Sequence, residues 1–185
     1  MRILLLNQFY QPDVAPTGQV LHDLARVLAG RGHQVRVVCS RRSYDGGQRF
    51  PARETRDGVE ILRLPACGFG RRGFLGKTAD YSSFCGALLW KLAFLRPRPD
   101  LILALTTPPY VGFLAMLAAR CRGMTHAHWV MDLYPDVLAA HGMLKARGLF
   151  FRILRRLTRS ELRGSRLVLT LGPHMATKVA PYLEG

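Results

Sequence analysis

The segment Asp132-Leu-Tyr-Pro-Asp136 places two carboxylates one helical turn apart, directly after an apolar run. If that run is a strand, Asp132 ends it and can point into a crevice as a general base, or as the acceptor for a substrate hydroxyl. Asp136 suits the N-cap of a following helix, a position where Asp is strongly preferred. His126 and His128 stand two apart and share one face of the same run. Two histidines at that spacing could ligate a metal. A zinc site wants three or four ligands and no third lies nearby, so no metal is expected and these read as core or crevice histidines. A second cluster is Thr17-Gly18-Gln19. Thr17 is a credible N-cap, and exposed amides at Gly18 and Gln19 would make an anion site at a helix N-terminus. Thr107 belongs to a third loop, Thr106-Thr-Pro-Pro109. Neither a Gly-x-Ser-x-Gly elbow nor a Walker loop occurs. Gly68-x-Gly70-x-x-Gly73 has the spacing of a dinucleotide fingerprint, but Pro65 intervenes after the preceding strand and no strand-end acid follows, so it reads as a flexible loop.

Positioning these groups requires strands whose ends meet. Residues 2–7 hold an apolar run, unbroken from Ile3 to Leu6, as expected of a strand buried on both faces of a parallel sheet. The loop 7–17 carries Pro12, Asp13 and Pro16 and cannot continue as strand or helix. Val20, Leu21, Leu24, Ala25 and Leu28 then recur at helical spacing, Gly30 and Gly32 stop the helix, and residues 34–39 form the next strand. Residues 40–57 read as a long surface loop or a short irregular hairpin, 58–64 as a third strand, and 65–76 as a glycine- and arginine-rich loop. A helix over 78–95, a strand over 101–105, a helix over 110–120, a strand over 124–131, a long helix over 144–163, a strand over 165–171 and a closing helix over 173–183 complete the chain. This alternation predicts one α/β domain with a doubly wound, mainly parallel Rossmann-like sheet. Right-handed crossovers bring the loops at 7–18, 106–109 and 132–136 to the carboxyl edge, where open α/β sheets bind ligands.

Charge narrows the partners. Lys and Arg number 27 against 12 acids, a formal charge of +15, which asks for nucleic acid, a phospholipid surface or a phosphorylated substrate. Most of the basic residues are arginine, suited to bidentate phosphate contacts. On the long helix Arg152, Arg155, Arg156, Arg159 and Arg163 take one face, with only Glu161 to offset them, while Leu149, Phe150, Ile153, Leu154 and Leu157 take the other. The apolar side either packs on the core beneath a solvated basic face, or the arginines meet an anionic surface. Basic residues also bracket the apolar helix at 78–95, and Phe74, Leu75 or Trp90 could insert into lipid. No nucleic-acid motif appears, and exposed aromatics do not interleave with the basic residues, so nucleic acid is not expected. Cys39, Cys67, Cys85 and Cys121 form no Cys-x-x-Cys and read as buried thiols of a reducing cytosol. The N-terminal run is too short for a signal peptide, and residues 81–95 are fewer than the ~20 a spanning helix needs.

Asn7-Gln-Phe-Tyr-x-Pro-Asp with Thr17-Gly18, then Leu24-Ala-x-x-Leu28-x-x-Arg31-Gly-His-x-Val-x-Val-Val-Cys39, resembles the N-terminal domain of family 4 retaining glycosyltransferases. Asp132-Leu-Tyr-Pro-Asp136 points to the subgroup that builds bacterial surface polysaccharides, such as the WbuB-like and colanic-acid enzymes. The resemblance implies a GT-B fold with two Rossmann-like domains and the active site between them. It implies an N-terminal domain that holds the acceptor and a C-terminal one that holds the nucleotide sugar through a Glu-x7-Glu motif, with retention of anomeric configuration. No such pair occurs in residues 1–185, which end where a first domain would end. The chain therefore reads as one acceptor-binding domain, inactive alone, whose donor-binding domain lies in cis beyond a truncation or on a second subunit. Gly18 matches the family's glycine-loop position, and Asp132 falls near the strand end where the family often places a catalytic-site histidine or acid.

The expectation is thus Asp132 as catalytic residue, and Thr17, Gly18, Gln19, Thr107, His128 and Asp136 at the substrate. No cofactor is expected beyond the nucleotide sugar as co-substrate. The acceptor would be lipid-linked or a saccharide, and the domain would sit peripherally on the inner face of the cytoplasmic membrane through Arg152, Arg155, Arg156, Arg159 and Arg163. The competing expectation is a non-catalytic basic module that binds anionic membrane or nucleic acid.

Overall fold

A computed structural model describes residues 1–69, 73–146 and 148–184, without the Phe74 side chain. Its elements are β1 (Arg2–Leu6), α1 (Pro16–Gly30), β2 (Gln34–Ser40), β3 (Arg53–Arg56), β4 (Val59–Leu64), α2 (Gly73–Phe94), β5 (Leu101–Ala104), α3 (Val111–Arg122), β6 (Thr125–Val130), α4 (Asp136–Ala140), α5 (Leu149–Gly164), β7 (Leu167–Thr170) and α6 (Pro173–Leu183). The seven strands form one sheet in the order β3-β4-β2-β1-β5-β6-β7. Every pairing is parallel except β3 with β4. The central strand is β1, as its uninterrupted apolar run requires.

Alternation along the strands feeds two cores. Ile3 and Leu5 join Val35, Val37, Ile61 and Leu103 beneath Leu21 and Ala25 of α1. Leu4 and Leu6 join Val38, Leu62 and Ile102 beneath Phe84, Leu88 and Leu92 of α2 and Val111 and Ala115 of α3. Burying each such leucine stabilises by roughly 1.5–3 kcal/mol. A third cluster, Val130, Leu133, Leu162, Val179 and Tyr182, seats α5 and α6.

Several boundaries depart from the sequence reading. The hairpin alternative for residues 40–57 is partly realised by an antiparallel bridge between Arg42 and Arg49, while Arg56 pairs with Val59 across the Asp57-Gly58 turn and makes β3 an antiparallel edge strand that the sequence reading did not expect. Helix α2 begins at Gly73, so part of the expected loop is helical; Gly70 of the glycine-rich spacing lies outside the described residues. The long helix expected from 144 starts at Leu149, with Gly148 as its N-cap and the short α4 before it. Its buried residues are Phe151, Thr158, Glu161 and Leu162, while Leu149, Phe150 and Ile153 are exposed. The apolar side of α5 is therefore packed only in part: Leu154 and Leu157 are half-buried, and the other three face outward. Of the cysteines only Cys39 is buried; Cys67 and Cys121 are exposed, because their strand-end and helix-end positions face solvent. Among the described residues no helix is long and apolar enough to cross a membrane.

Candidate functional site

Strand order reverses at β1: the chain moves from β1 to β2 on one side and later places β5 on the other. A crevice opens at the carboxyl end of such a switch point. Gln8 stands in it. Its amide donates to Thr107 O at 2.8 Å, and its carbonyl accepts from Ser40 N at 2.7 Å, so the first turn after β1 is tied to both neighbouring strand ends. Asn7 Nδ2 donates to Phe9 O and to Thr17 Oγ1, at 2.7 and 3.1 Å, which pins that turn to the start of α1.

This pinning corrects the expected anion site. The N-cap of α1 is Ala15 with no side-chain cap, Pro16 occupies the first turn, and Thr17 lies inside the helix with its hydroxyl turned to Asn7. The amides of Gly18 and Gln19 both donate to Ala15 O, at 2.9 and 3.2 Å, leaving neither for a phosphate. Gly18 is buried, and a Cβ there would stand 3.0 Å from Phe9 O and 3.2 Å from Tyr10 Cα. It lets the helix approach the loop backbone closely.

On the α2 side of β1 lies a pocket of about 100 Å³ lined by Gln8, Phe9, Arg42, Tyr44, Lys77 and Tyr81, among others. Gln8 is 4% exposed, and its Oε1 is buried without a hydrogen-bond partner. Phe9 and Tyr44 meet edge to face, with ring centres 5.2 Å apart. Asp13 accepts from Tyr44 N at 2.7 Å, and burial holds its carboxyl above the usual range. Asp80 Oδ1 takes the amides of Gly68 and Phe69 at 2.7 and 2.9 Å, so these glycine-loop amides are not a phosphate cradle. Arg63 braces the wall. Its side chain is fully buried, pairs with Glu54 at 2.7 Å, donates to Gln11 O at 2.7 Å and lies over Phe50. The pocket therefore offers the unpaired Gln8 oxygen, the cations of Arg42 and Lys77 and aromatic surfaces, with the Asp80 carboxylate turned to the Gly68 and Phe69 amides, a set that suits a ligand with hydroxyl donors and negative charge.

The β5–β6 side is tighter. A cleft of about 20 Å³ is lined by Thr106, Tyr110, Gly112, His128, Asp132, Tyr134 and Glu161, among others. Asp132 is exposed and makes no hydrogen bond or ion pair among the described residues. His128 and Glu161 are buried, with Nδ1 2.8 Å from Oε1, but neither atom has a directed hydrogen bond. His126 Nδ1 lies 3.0 Å from Ser165 Oγ; burial, and then His128, press its pKa down to about 3. The two imidazoles stack 6.4 Å apart and turn to separate partners, which is no metal geometry. Asp136 is not a cap: Pro135 holds the N-cap position, and the Asp136 carboxylate accepts the Tyr182 hydroxyl of α6.

The expected residues thus divide. Thr107, His128 and Asp132 gather at the ends of β5 and β6. Thr17, Gly18 and Gln19 sit behind the β1 turn, and Asp136 faces α6. The arginine face divides as well. Arg155 lies over the Tyr182 ring, while Arg159 and Arg163 donate to the carbonyls of Glu184 and Leu183. Arg152 and Arg156 stay exposed beside Leu149, Phe150 and Ile153. Sequence reasoning missed Gln8, Arg42, Arg63, Lys77, Gly112 and Glu161 as site residues. Only Gln8 had a signal, as the residue just past the first strand.

Known proteins share this architecture. A family model described as "Glycosyl transferase 4-like domain" matches residues 17–182. Among solved structures, sucrose-phosphate synthase from Thermosynechococcus elongatus superposes with a TM-score of 0.66 at 15% identity, over 100% of this chain and 46% of that one. Arabidopsis thaliana UGT89C1, complexed with quercetin, gives 0.54 at 14% identity, over 91% of this chain and 42% of that one. The chain spans less than half the length of either structure. No curated protein matches it in sequence. The superpositions show the Rossmann-like half of a GT-B fold.

Proposed function

Because the chain belongs to the glycosyl transferase 4-like domain family, we propose that it is the acceptor-binding half of a retaining glycosyltransferase of surface-polysaccharide synthesis. The sugar would pass from a nucleotide sugar, held by a second domain in cis or on another subunit, to a lipid-linked or saccharide acceptor. One observation carries this reading. The buried, unpartnered Gln8 Oε1 lines a pocket at the switch point with Arg42 and Lys77 beside it. An acceptor hydroxyl donating to Gln8, with an acceptor phosphate on the two cations, would satisfy all three groups. Asp132, exposed at the end of β6, serves as the base or hydroxyl acceptor at the reacting edge. Leu149, Phe150 and Ile153 are exposed next to Arg152 and Arg156, which favours a peripheral contact with an anionic membrane on the cytoplasmic side.

The test is transfer by the complete enzyme. Asp132→Asn is expected to lower turnover more than it weakens donor binding; an unchanged rate would make Asp132 structural. Residues 1–185 alone should bind acceptor without turning over a nucleotide sugar. Co-sedimentation with anionic vesicles should fall with salt and with Arg152→Glu/Arg156→Glu. Equal binding to neutral vesicles would remove α5 from the membrane contact.

A further inference from the structure

The tight cleft behind Asp132 differs in kind from the open pocket. Four of its lining atoms, Thr106 Oγ1, Tyr110 Oη, His128 Nδ1 and Glu161 Oε1, are buried without a well-directed hydrogen bond, although His128 Nδ1 and Glu161 Oε1 stand 2.8 Å from each other. Thr106, His128 and Glu161 are each 4–5% exposed. Tyr110 Oη lies within hydrogen-bonding reach of Thr158, whose hydroxyl donates toward the carbonyls of Tyr134 and Leu154 and can still accept from it. Buried polar groups without a directed hydrogen bond are uncommon in folded proteins, and Thr106 Oγ1 beside the misaligned His128–Glu161 pair calls for a further partner. The space is about 20 Å³. A water needs roughly 10–15 Å³ and two to four polar neighbours. The space behind Asp132 has the size of one water rather than of a sugar or a phosphate.

The sequence also keeps the space open. A Cβ on Gly112 would stand 2.0 Å from Glu161 Oε1 and 2.5 Å from His128 Nδ1, so only glycine leaves this pair in place. We infer that the cleft is a binding site for a single ordered water that bridges Glu161 and His128 to Thr106 and Tyr110. Glu161 accepts from it, and the Thr106 and Tyr110 hydroxyls complete its shell. It joins the turn after β5, the start of α3, strand β6 and helix α5 at one point. Thr107 and Asp132 stand on the two strand ends so joined. The water is therefore a structural ligand that holds the β5 and β6 ends of the carboxyl edge in register, whatever substrate that edge takes.

Thr106→Val gives a test whose sign decides. The exchange keeps shape and removes only the hydroxyl. With the water present, the water loses a partner, and the folding equilibrium constant should fall about five-fold. Amide exchange over residues 105–112 and 131–134 should rise with it. In a dry cleft the same exchange removes an unsatisfied buried group, so the denaturation midpoint should rise. Tyr110→Phe should follow the same sign, and since both variants keep the side-chain volume, both should fold. Water-to-protein Overhauser contacts at the Thr106 and His128 side chains should show a long-lived solvent molecule in the unaltered chain and lose it in Thr106→Val. A raised midpoint in both variants, or no such contacts in the unaltered chain, overturns the inference.

Discussion

The two sides of β1 share a carboxyl edge and differ in what they leave unsatisfied. On the β2–β4 side, Gln8 offers a single acceptor to about 100 Å³ with Arg42 and Lys77 on the wall. On the β5–β6 side, four polar atoms crowd about 20 Å³ around a buried carboxylate. One side has room and positive charge for a ligand; the other, behind the exposed Asp132, has room of the size of one water. An unpaired buried group thus signals a substrate only where the space beside it can hold one. The asymmetry comes from packing. Helices α3 and α5 close over the ends of β5 and β6, and Gly112 lets α3 come close to Glu161. On the other side, the loops after β1, β2 and β4 hold the wall off through Asp13, Asp80 and Arg63.

The largest expected effect tests the closed side. Gly112→Val would drive carbon into the His128–Glu161 pair and is expected to destabilise by about 3 kcal/mol or more, read as a lower denaturant midpoint. A near-neutral result would mean that α3 can shift without cost and that the cleft is not tightly built. Next, on the open side, Arg42→Gln with Lys77→Gln in the complete enzyme should raise acceptor KM about 10–100-fold, given ~1.5–3 kcal/mol for a hydrogen bond to a charged group. Both residues line a surface, so Tm should stay within a degree or two. An unmoved KM would take the pocket out of acceptor binding.

His126 supplies the pH dependence. Its imidazole protonates near 6.5 when unfolded and near 3 when folded, because burial disfavours the charged form. Across that window the unfolded state binds more protons, so stability falls as pH drops, by at most about 1.4 kcal/mol per pH unit. His126→Asn should flatten this slope in denaturation curves taken from pH 7 to 4; an unchanged slope would mean the ring is solvated. The smallest effect compares the two sides directly. Gln8→Met removes the unpaired pocket-lining acceptor at constant volume and should stabilise the ligand-free chain by about 1 kcal/mol while weakening acceptor binding. Thr106→Val should act in the opposite sense. The same sign at both positions would erase the distinction between a substrate pocket and a hydration site.

The amino-acid order by itself determined the scaffold. Continuous apolar runs at Ile3–Leu6 and 101–105 can be satisfied only between two helical layers, and proline and glycine mark the turns, so the mainly parallel sheet, its central first strand and the functional edge were legible, while the full strand order was not. Thr107 and Asp132 were legible too, because the end of a parallel strand fixes where the next residue stands. Features that arise from distant packing were not. Thr17 reads as a cap, yet Asn7 captures its hydroxyl. Arg63 and Glu161 read as surface charges on a strand and a helix, and only the approach of other elements buries them. Asp136 was given to a cap or the substrate and three of the arginines to an anionic membrane surface, and they instead meet α6. Periodicity is a local property of the chain, set by the geometry of one element. Desolvation and partner choice belong to pairs of elements far apart in sequence, so the tertiary structure alone decided which polar groups remained unpaired and which of them had room for a ligand.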